Sequence, residues 1–230
     1  MVAVLALLVI AVPAVGALTA ARLRTAEEVP GRKHARYART MLVLWTMTAL
    51  ALYALSLHGQ SVSDVGLRMP ADPWWFAAGV LMVAILLSMS GAARRDIAPA
   101  YATAIRPVVP HTAADWYWFV PVAATAALCE EFLYRGYALT QIAALTHDVT
   151  VGVVLSSIAF GLGHAYQGRI GMAGAAITGL LYACLFVFGG SLLPCMLAHF
   201  LQDIIGARLL SQRLFAAPPA TVGPANLPGE

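Results

Sequence analysis

Apolar residues fill most of the chain in long runs, and short polar segments separate one run from the next. An apolar run of about 20 residues is long enough for a helix to cross the hydrocarbon core of a bilayer. The pattern therefore predicts an all-α protein, a polytopic membrane helix bundle with about seven transmembrane helices. The predicted spans are residues 2–21, 40–57, 74–89, 119–145, 149–165, 170–188 and 192–210.

The segments between these spans are polar, basic or rich in proline. Residues 22–39 form a predicted basic loop, and Pro13 predicts a kink in the first span. We expect one membrane-embedded domain over residues 1–214. The tail, residues 215–230, is rich in proline, alanine and glycine, so we expect it to be disordered.

The charge of the chain indicates its surroundings. Only 11% of the residues are charged, whereas about a quarter are charged in a typical soluble domain. A net charge of +3 is too small to indicate a nucleic-acid partner, and the expected surroundings are the lipid bilayer.

The basic residues also predict an orientation. If the N-terminus is outside, all of the 14 lysines and arginines except Arg68 and Arg135 fall in segments on the cytoplasmic side. Cytoplasmic loops carry such an excess of basic residues, so we expect a cytoplasmic C-terminus. The alanine-rich composition and the compact chain indicate a bacterial source, and therefore a multi-pass protein of the plasma membrane.

The fourth predicted span carries three ionisable side chains, Glu130, Glu131 and Arg135. Each ionised side chain at bilayer depth costs about 2.5–3.5 kcal/mol even on the most lenient scales, so such residues usually mark a functional site inside the bundle. Residues four apart share a helical face, which predicts an ion pair between Glu131 and Arg135. Glu130 points about 100° away and is therefore free for proton transfer.

Two later spans add further ionisable groups. The fifth carries His164, and the seventh carries His199 and Asp203, four residues apart. Convergence of the three helices on one catalytic site explains all of these residues together. The alternative is a structural polar cluster between helices.

These residues form three motifs on successive apolar helices, and their order and spacing resemble those of the CPBP family of intramembrane proteases. That family includes type II CAAX prenyl endopeptidases and proteins of bacteriocin processing and immunity. The resemblance covers residues 116–210. The motifs are Glu130-Glu131-x-x-x-Arg135, Phe160-x-x-x-His164 and His199-x-x-x-Asp203.

The resemblance implies roles for four catalytic residues in a hydrolase. Glu130 and His164 would activate a water for attack on a peptide carbonyl, and His199 and Asp203 would stabilise the oxyanion. The family's eukaryotic CAAX endopeptidases have asparagine at the last of these positions. An ionised aspartate accepts hydrogen bonds only, so Asp203 is either protonated, or orients His199, or binds a metal.

The resemblance also implies supporting roles for Glu131, Arg135 and Phe160, which would hold the site in shape. The implied substrate is a membrane-associated protein or peptide. Two other functions remain open at the level of the sequence. One is a non-catalytic immunity or adaptor protein on the same scaffold, and the other is a proton-coupled transporter.

A water activated directly by two side chains requires no cofactor, and this is the interpretation we favour. Zinc is the alternative, because Glu130, His164, His199 and Asp203 are all residue types that bind Zn²⁺.

The depth of the site follows from counting residues. Glu130 lies fifteen residues before Leu145, and His164 lies fifteen residues after Val149, on the two sides of one outer turn. At 1.5 Å per residue both lie about 22 Å below that turn. This is past the middle of a core about 30 Å thick, so we expect the site to open toward the cytoplasm.

Overall fold

The computed structural model describes residues 2–11, 14, 32–89 and 97–215, and every regular element in these ranges is helical. The predicted all-α, polytopic bundle is therefore confirmed. The helices are α1 (Val2–Ala6) with a π-helical turn (Leu7–Ala11), α2 (Arg32–Leu57), α3 (Trp74–Met89), α4 (Pro99–Ile105), α5 (Ala113–Glu131), a π-helical segment (Phe132–Leu139), α6 (Thr140–Thr146), α7 (Val149–Gly163), a 3-10 turn (Ala165–Gln167), α8 (Gly168–Gly189) and α9 (Leu193–Leu214).

The helices have the length and the surface of a membrane protein. Within the described ranges, three segments are long and apolar enough to cross a bilayer, and two apolar helices are shorter. The three are Arg32–Leu57, Ala165–Gly189 and Leu193–Leu214, and the shorter ones are Trp74–Ser88 and Val149–Gly163. Large apolar side chains on their outer faces are exposed, among them Leu42, Tyr53 and Phe188. Lipid is the solvent that suits such a surface.

Some predictions from the sequence lie outside the described residues. These are residues 12, 13 and 15–21 of the first span with its kink at Pro13, the arginines of segments 22–31 and 90–96, and the tail beyond Phe215. The count of seven spans depends on the first of them and stays a prediction.

The predicted start of the second span at residue 40 is wrong, because α2 already begins at Arg32. Hydropathy misses these first two turns because they are basic. Their long side chains instead attach the helix to the segment before α5: Lys33 Nζ donates to the Val109 carbonyl at 3.0 Å, and Arg36 Nη1 donates to the Pro107 carbonyl at 2.7 Å.

Residues 97–112 do not form the continuous loop that their prolines indicate, because they contain the short helix α4. Proline is compatible with the first position of a helix, where its missing N–H has no partner to lose. Pro99 occupies this region of α4. The helix packs against the 3-10 turn and against α8, so it lies beside the end of α7.

The start of α5 is fixed by Asp115. Its backbone N–H donates to Thr112 Oγ1, its carboxylate accepts from the Thr112 backbone, and the two together form a capping box. The same carboxylate accepts from Lys33 at 3.1 Å and pairs with His34 at 2.9 Å. Burial opposes ionisation, but the hydrogen bonds from two backbone amides, Lys33 and His34 hold the pKa of Asp115 well below its usual range.

The helix that carries the acidic pair changes its winding at the site. α5 continues through the π-helical segment into α6, and every residue of the π segment is buried. This segment packs against α7, while α9 packs against both α3 and α5. Three helices therefore meet around Glu131: α5 with the π segment, α7 and α9. A π-helical turn inside an α-helix is common at functional sites.

Candidate active site

The buried carboxylate of Glu131 lies at the centre of the site. Its Oε1 atom accepts from Arg135 Nη1 at 3.0 Å and contacts His199 Nδ1 at 2.8 Å. The side chains of Glu131 and Arg135 are 0% and 1% exposed. The structure thus contains the ion pair expected from the four-residue spacing. It also places His199 of α9 on the same oxygen, a contact that no local spacing could reveal.

The guanidinium of Arg135 is held between aromatic rings as well as by its carboxylate. Its Cζ atom lies 4.2 Å from the ring centroid of Phe160 and 5.9 Å from that of Tyr182. A side chain at Gly179 would meet Phe160 at 3.2 Å and Arg135 Nη2 at 3.4 Å, so glycine allows α8 to approach this closely. Cation–π contacts and burial together make the position of Arg135 rigid.

Glu130, near the end of α5, and His164, directly after the end of α7, face each other. Glu130 Oε2 lies 4.0 Å from His164 Nε2, and the two side chains are 16% and 17% exposed. They are close because both lie a similar number of residues from the turn that joins α6 to α7. Glu130 Oε2 accepts no hydrogen bond from any described residue.

The tautomer of His164 follows from its other nitrogen. Nδ1 lies 2.8 Å from the backbone carbonyl of Phe160, one turn earlier in α7. A carbonyl oxygen can only accept, so Nδ1 must carry the proton. In the neutral ring, Nε2 is then an acceptor that faces Glu130. Phe160 therefore acts through its backbone on His164 and through its side chain on Arg135.

His199 and Asp203 form the third part of the site on α9. His199 Nε2 lies 3.7 Å from Asp203 Oδ2, beyond the range of a direct hydrogen bond. The side chain of Asp203 is 33% exposed, whereas that of His199 is 9% exposed. His199 is thus fixed through Nδ1 by Glu131, and its Nε2 atom is not held by Asp203.

The positions of the possible metal ligands can be compared with those that a zinc site requires. Among residues 2–11, 14, 32–89 and 97–215, no group of three or more His, Cys, Asp or Glu side chains is placed to hold a metal ion. Glu130 lies 4.0 Å from His164, and His199 lies 3.7 Å from Asp203. The choice between a metal-independent site and a zinc site stays a prediction.

Sequence reasoning missed two tyrosines beside the ionisable groups. Tyr182 is fully buried, its ring lies 6.1 Å from that of His199, and its hydroxyl donates to Gln202 Oε1 at 2.6 Å. Tyr166 follows His164 in the 3-10 turn, with its ring 5.8 Å from the imidazole. Tyrosines are common in apolar spans, so neither stands out in the sequence.

Residues 112–205 match the family model described as Type II CAAX prenyl endopeptidase Rce1-like. This match confirms the resemblance predicted from the three motifs, and the matched segment contains all of them. No curated protein and no solved structure shows significant similarity to the chain.

Proposed function

From the match of residues 112–205 to a family of CAAX-type intramembrane proteases, we propose that this chain is an endopeptidase of the membrane. It hydrolyses peptide bonds of membrane-associated proteins or peptides. The reacting water is activated by Glu130 and His164, and no metal is required.

The observation that supports this proposal most directly is that two hydrogen-bond acceptors, one on Glu130 and one on His164, face each other across a gap wide enough for a water. Glu130 Oε2 and His164 Nε2 are 4.0 Å apart. A water at about 2.8 Å from each atom fits this distance. It donates both of its hydrogens, one to the carboxylate and one to the imidazole, and presents an oxygen lone pair for attack. The Phe160 carbonyl supports this role because it keeps the imidazole proton on Nδ1.

The reaction then proceeds by ordinary general acid–base steps. Glu130 takes a proton as the water oxygen bonds to the peptide carbonyl carbon, and a tetrahedral oxyanion forms. The proton passes from Glu130 to the leaving nitrogen as the C–N bond breaks. The products are a carboxylic acid and an amine, and Glu130 returns to its ionised state.

In this proposal, His199 and Asp203 stabilise the negative charge that develops on the carbonyl oxygen of the substrate. His199 Nδ1 donates to Glu131, so Nε2 can donate to an oxyanion only while the ring is protonated. The carboxylates of Glu131 and Asp203 face the two nitrogens of this ring and compensate its positive charge. Asp203 therefore supports a charged His199 and does not itself donate.

Glu131 and Arg135 act as positioning residues. Glu131 holds His199 from α9, and Arg135 holds Glu131 while packing on Phe160 from α7. This arrangement keeps groups on three helices at fixed distances, and misplacing a reacting group by about 1 Å can cost about 10²-fold in rate.

Substrate capture with a Glu130→Gln variant tests the proposal. The amide retains the shape of the side chain but removes the base, so the variant should bind substrates without cleaving them. Proteins captured from the source membranes and identified by mass spectrometry are then supplied to wild type, in prenylated and unprenylated forms. Loss of a general base should lower the cleavage rate about 10²–10⁴-fold.

Asp64→Asn is the matched control. This carboxylate is exposed, accepts from the Ser61 N–H in a turn between α2 and α3, and belongs to none of the helices that form the site. The control variant should cleave at the wild-type rate. Equal cleavage by wild type and Glu130→Gln would refute the assignment of the base. A folded wild type that cleaves none of the captured proteins would refute the protease and favour the adaptor function. Substrate flux into proteoliposomes without cleavage would instead identify a transporter.

A further inference from the structure

Tyr166 holds a defined place beside the catalytic histidine. It is the middle residue of the 3-10 turn that follows His164, and its ring centroid lies 5.8 Å from that of the imidazole. The Gln167 N–H donates to the His164 carbonyl at 2.9 Å, which closes the turn. Helix α4 packs against this turn. The position of the phenol ring is therefore fixed by the same short segment that ends α7.

Among the described residues, the hydroxyl of Tyr166 has a donor beside it but no acceptor. Its oxygen accepts from Gln167 Nε2 at 3.1 Å, and in the part of the chain that the structure describes no group accepts its own proton. The phenol ring lies 5.8 Å from the imidazole of His164, which itself faces Glu130. An O–H without an acceptor is therefore carried by a ring next to the site.

The site needs such a donor. An oxyanion is stabilised by hydrogen-bond donors that are in place before the charge develops. Asp203 offers none while it is ionised. His199 offers one only while it is protonated, since its Nδ1 atom is engaged by Glu131. A phenol O–H donates throughout the neutral pH range because its usual pKa is about 10.

We propose that Tyr166 is a further catalytic residue, whose O–H donates a hydrogen bond to the substrate carbonyl oxygen as this oxygen becomes negative. The inference rests on the proposed peptidase function. No proton is transferred in this contact. The phenol stays neutral, and its hydrogen bond to the substrate oxygen shortens as the tetrahedral intermediate forms. Since the interaction strengthens only in the transition state, its loss should lower kcat and leave KM nearly unchanged.

Tyr166→Phe is the direct test, with Tyr53→Phe as the matched control on an exposed face of α2. The assay uses a peptide identified with the Glu130→Gln variant, and a phosphinate analogue of its scissile bond as a mimic of the tetrahedral state. Removing one oxyanion donor should lower kcat about 10²-fold, with KM within about twofold. The affinity for the phosphinate should fall by the same factor as kcat/KM, a correlation that a merely structural role would not produce.

The outcomes distinguish failure of the role of Tyr166 from failure of the proposed peptidase function. A wild type that cleaves no peptide overturns both. Cleavage by wild type with unchanged kcat in Tyr166→Phe overturns only the role of Tyr166. A larger KM with unchanged kcat does the same, because it shows uniform binding of substrate and transition state.

A second variant, Gln167→Leu, separates the loss of the phenol O–H from damage to the 3-10 turn. Like Tyr166→Phe, it removes the hydrogen bond between Gln167 and Tyr166, but it keeps the phenol O–H. Its kcat should stay within about threefold of wild type. If Gln167→Leu loses as much kcat as Tyr166→Phe, the effect comes from the turn and the proposal is wrong.

Discussion

Replacing Glu131 by glutamine should cost far more stability than the same change at its neighbour Glu130. Glu131 is fully buried and neutralises Arg135, whose side chain is 1% exposed. Its Oε1 atom also holds His199 at 2.8 Å. The amide keeps one oxygen but removes the charge, and the guanidinium stays buried without a counter-ion. Breaking a buried pair from one side costs about 3–5 kcal/mol.

This free energy is large enough to measure directly. In a protein of this size, each kcal/mol lowers Tm by about 2–4 °C. A loss of about 3 kcal/mol would therefore lower Tm by about 6–12 °C. Glu130→Gln should change Tm little, because its carboxylate is partly exposed and pairs with no buried cation at hydrogen-bond distance. Thermal unfolding in one detergent or bicelle system, followed by circular dichroism, compares the two variants.

A double variant tests the physical cause. Arg135→Met removes the cation that Glu131→Gln leaves unpaired, so the pair of changes together should be less harmful than the sum of the single ones. Residues in direct contact typically couple by about 0.5–3 kcal/mol. Equal Tm losses at Glu130 and Glu131, or purely additive effects of the changes at Glu131 and Arg135, would refute the assignment of Glu131 as the buried counter-ion.

Three further predictions concern acid, metal and access. The pKa of Asp115 is lower in the folded protein than its usual value of about 3.9, so its contribution to stability is present at neutral pH and is lost as the pH falls through the folded pKa. In Tm measurements from pH 7 to pH 3, Asp115→Asn should be destabilised at pH 7 by about 1.5–3 kcal/mol, the usual worth of a hydrogen bond to a charged group, and should lose less on acidification than wild type. Cleavage should survive chelation, since one carboxylate and one imidazole suffice to activate the water; stoichiometric zinc, with activity lost on chelation and restored by zinc, would assign a metal instead. In a background without native cysteines, an impermeant thiol reagent should label Asp203→Cys from the cytoplasmic side and Arg68→Cys from the outer side, and the reverse would show that the predicted orientation is inverted.

The sequence alone determined the class of fold and the residues worth examining. Long apolar runs require helices, because a backbone in lipid must satisfy its own hydrogen bonds. Ionisable residues in such runs stand out because burying them is costly. The four-residue spacings therefore indicated the Glu131–Arg135 ion pair, and His199 with Asp203 on one face of one helix.

Hydropathy located the helices less well where polar side chains fix their ends. The start of α2 at Arg32 depends on hydrogen bonds from Lys33 and Arg36 to carbonyls more than 70 residues away. The capping of α5 uses Asp115, which the same two turns of α2 help to hold. Such contacts join distant segments, so no periodicity along the chain records them.

Only the tertiary structure decided how the polar residues are shared between helices. Glu131 accepts from Arg135 on its own helix and contacts His199 on α9, whereas sequence spacing pairs His199 with Asp203 alone. The carbonyl of Phe160, in the last turn of α7, sets the tautomer of His164, and the 3-10 turn that follows places the ring of Tyr166 5.8 Å from this imidazole. Local periodicity determines which face of one helix a residue occupies. Which residue of another helix it meets depends on how the helices pack. Here that packing brings the carboxylate of Glu131 into contact with His199 on α9 and leaves the carboxylate of Glu130 facing His164 at 4.0 Å.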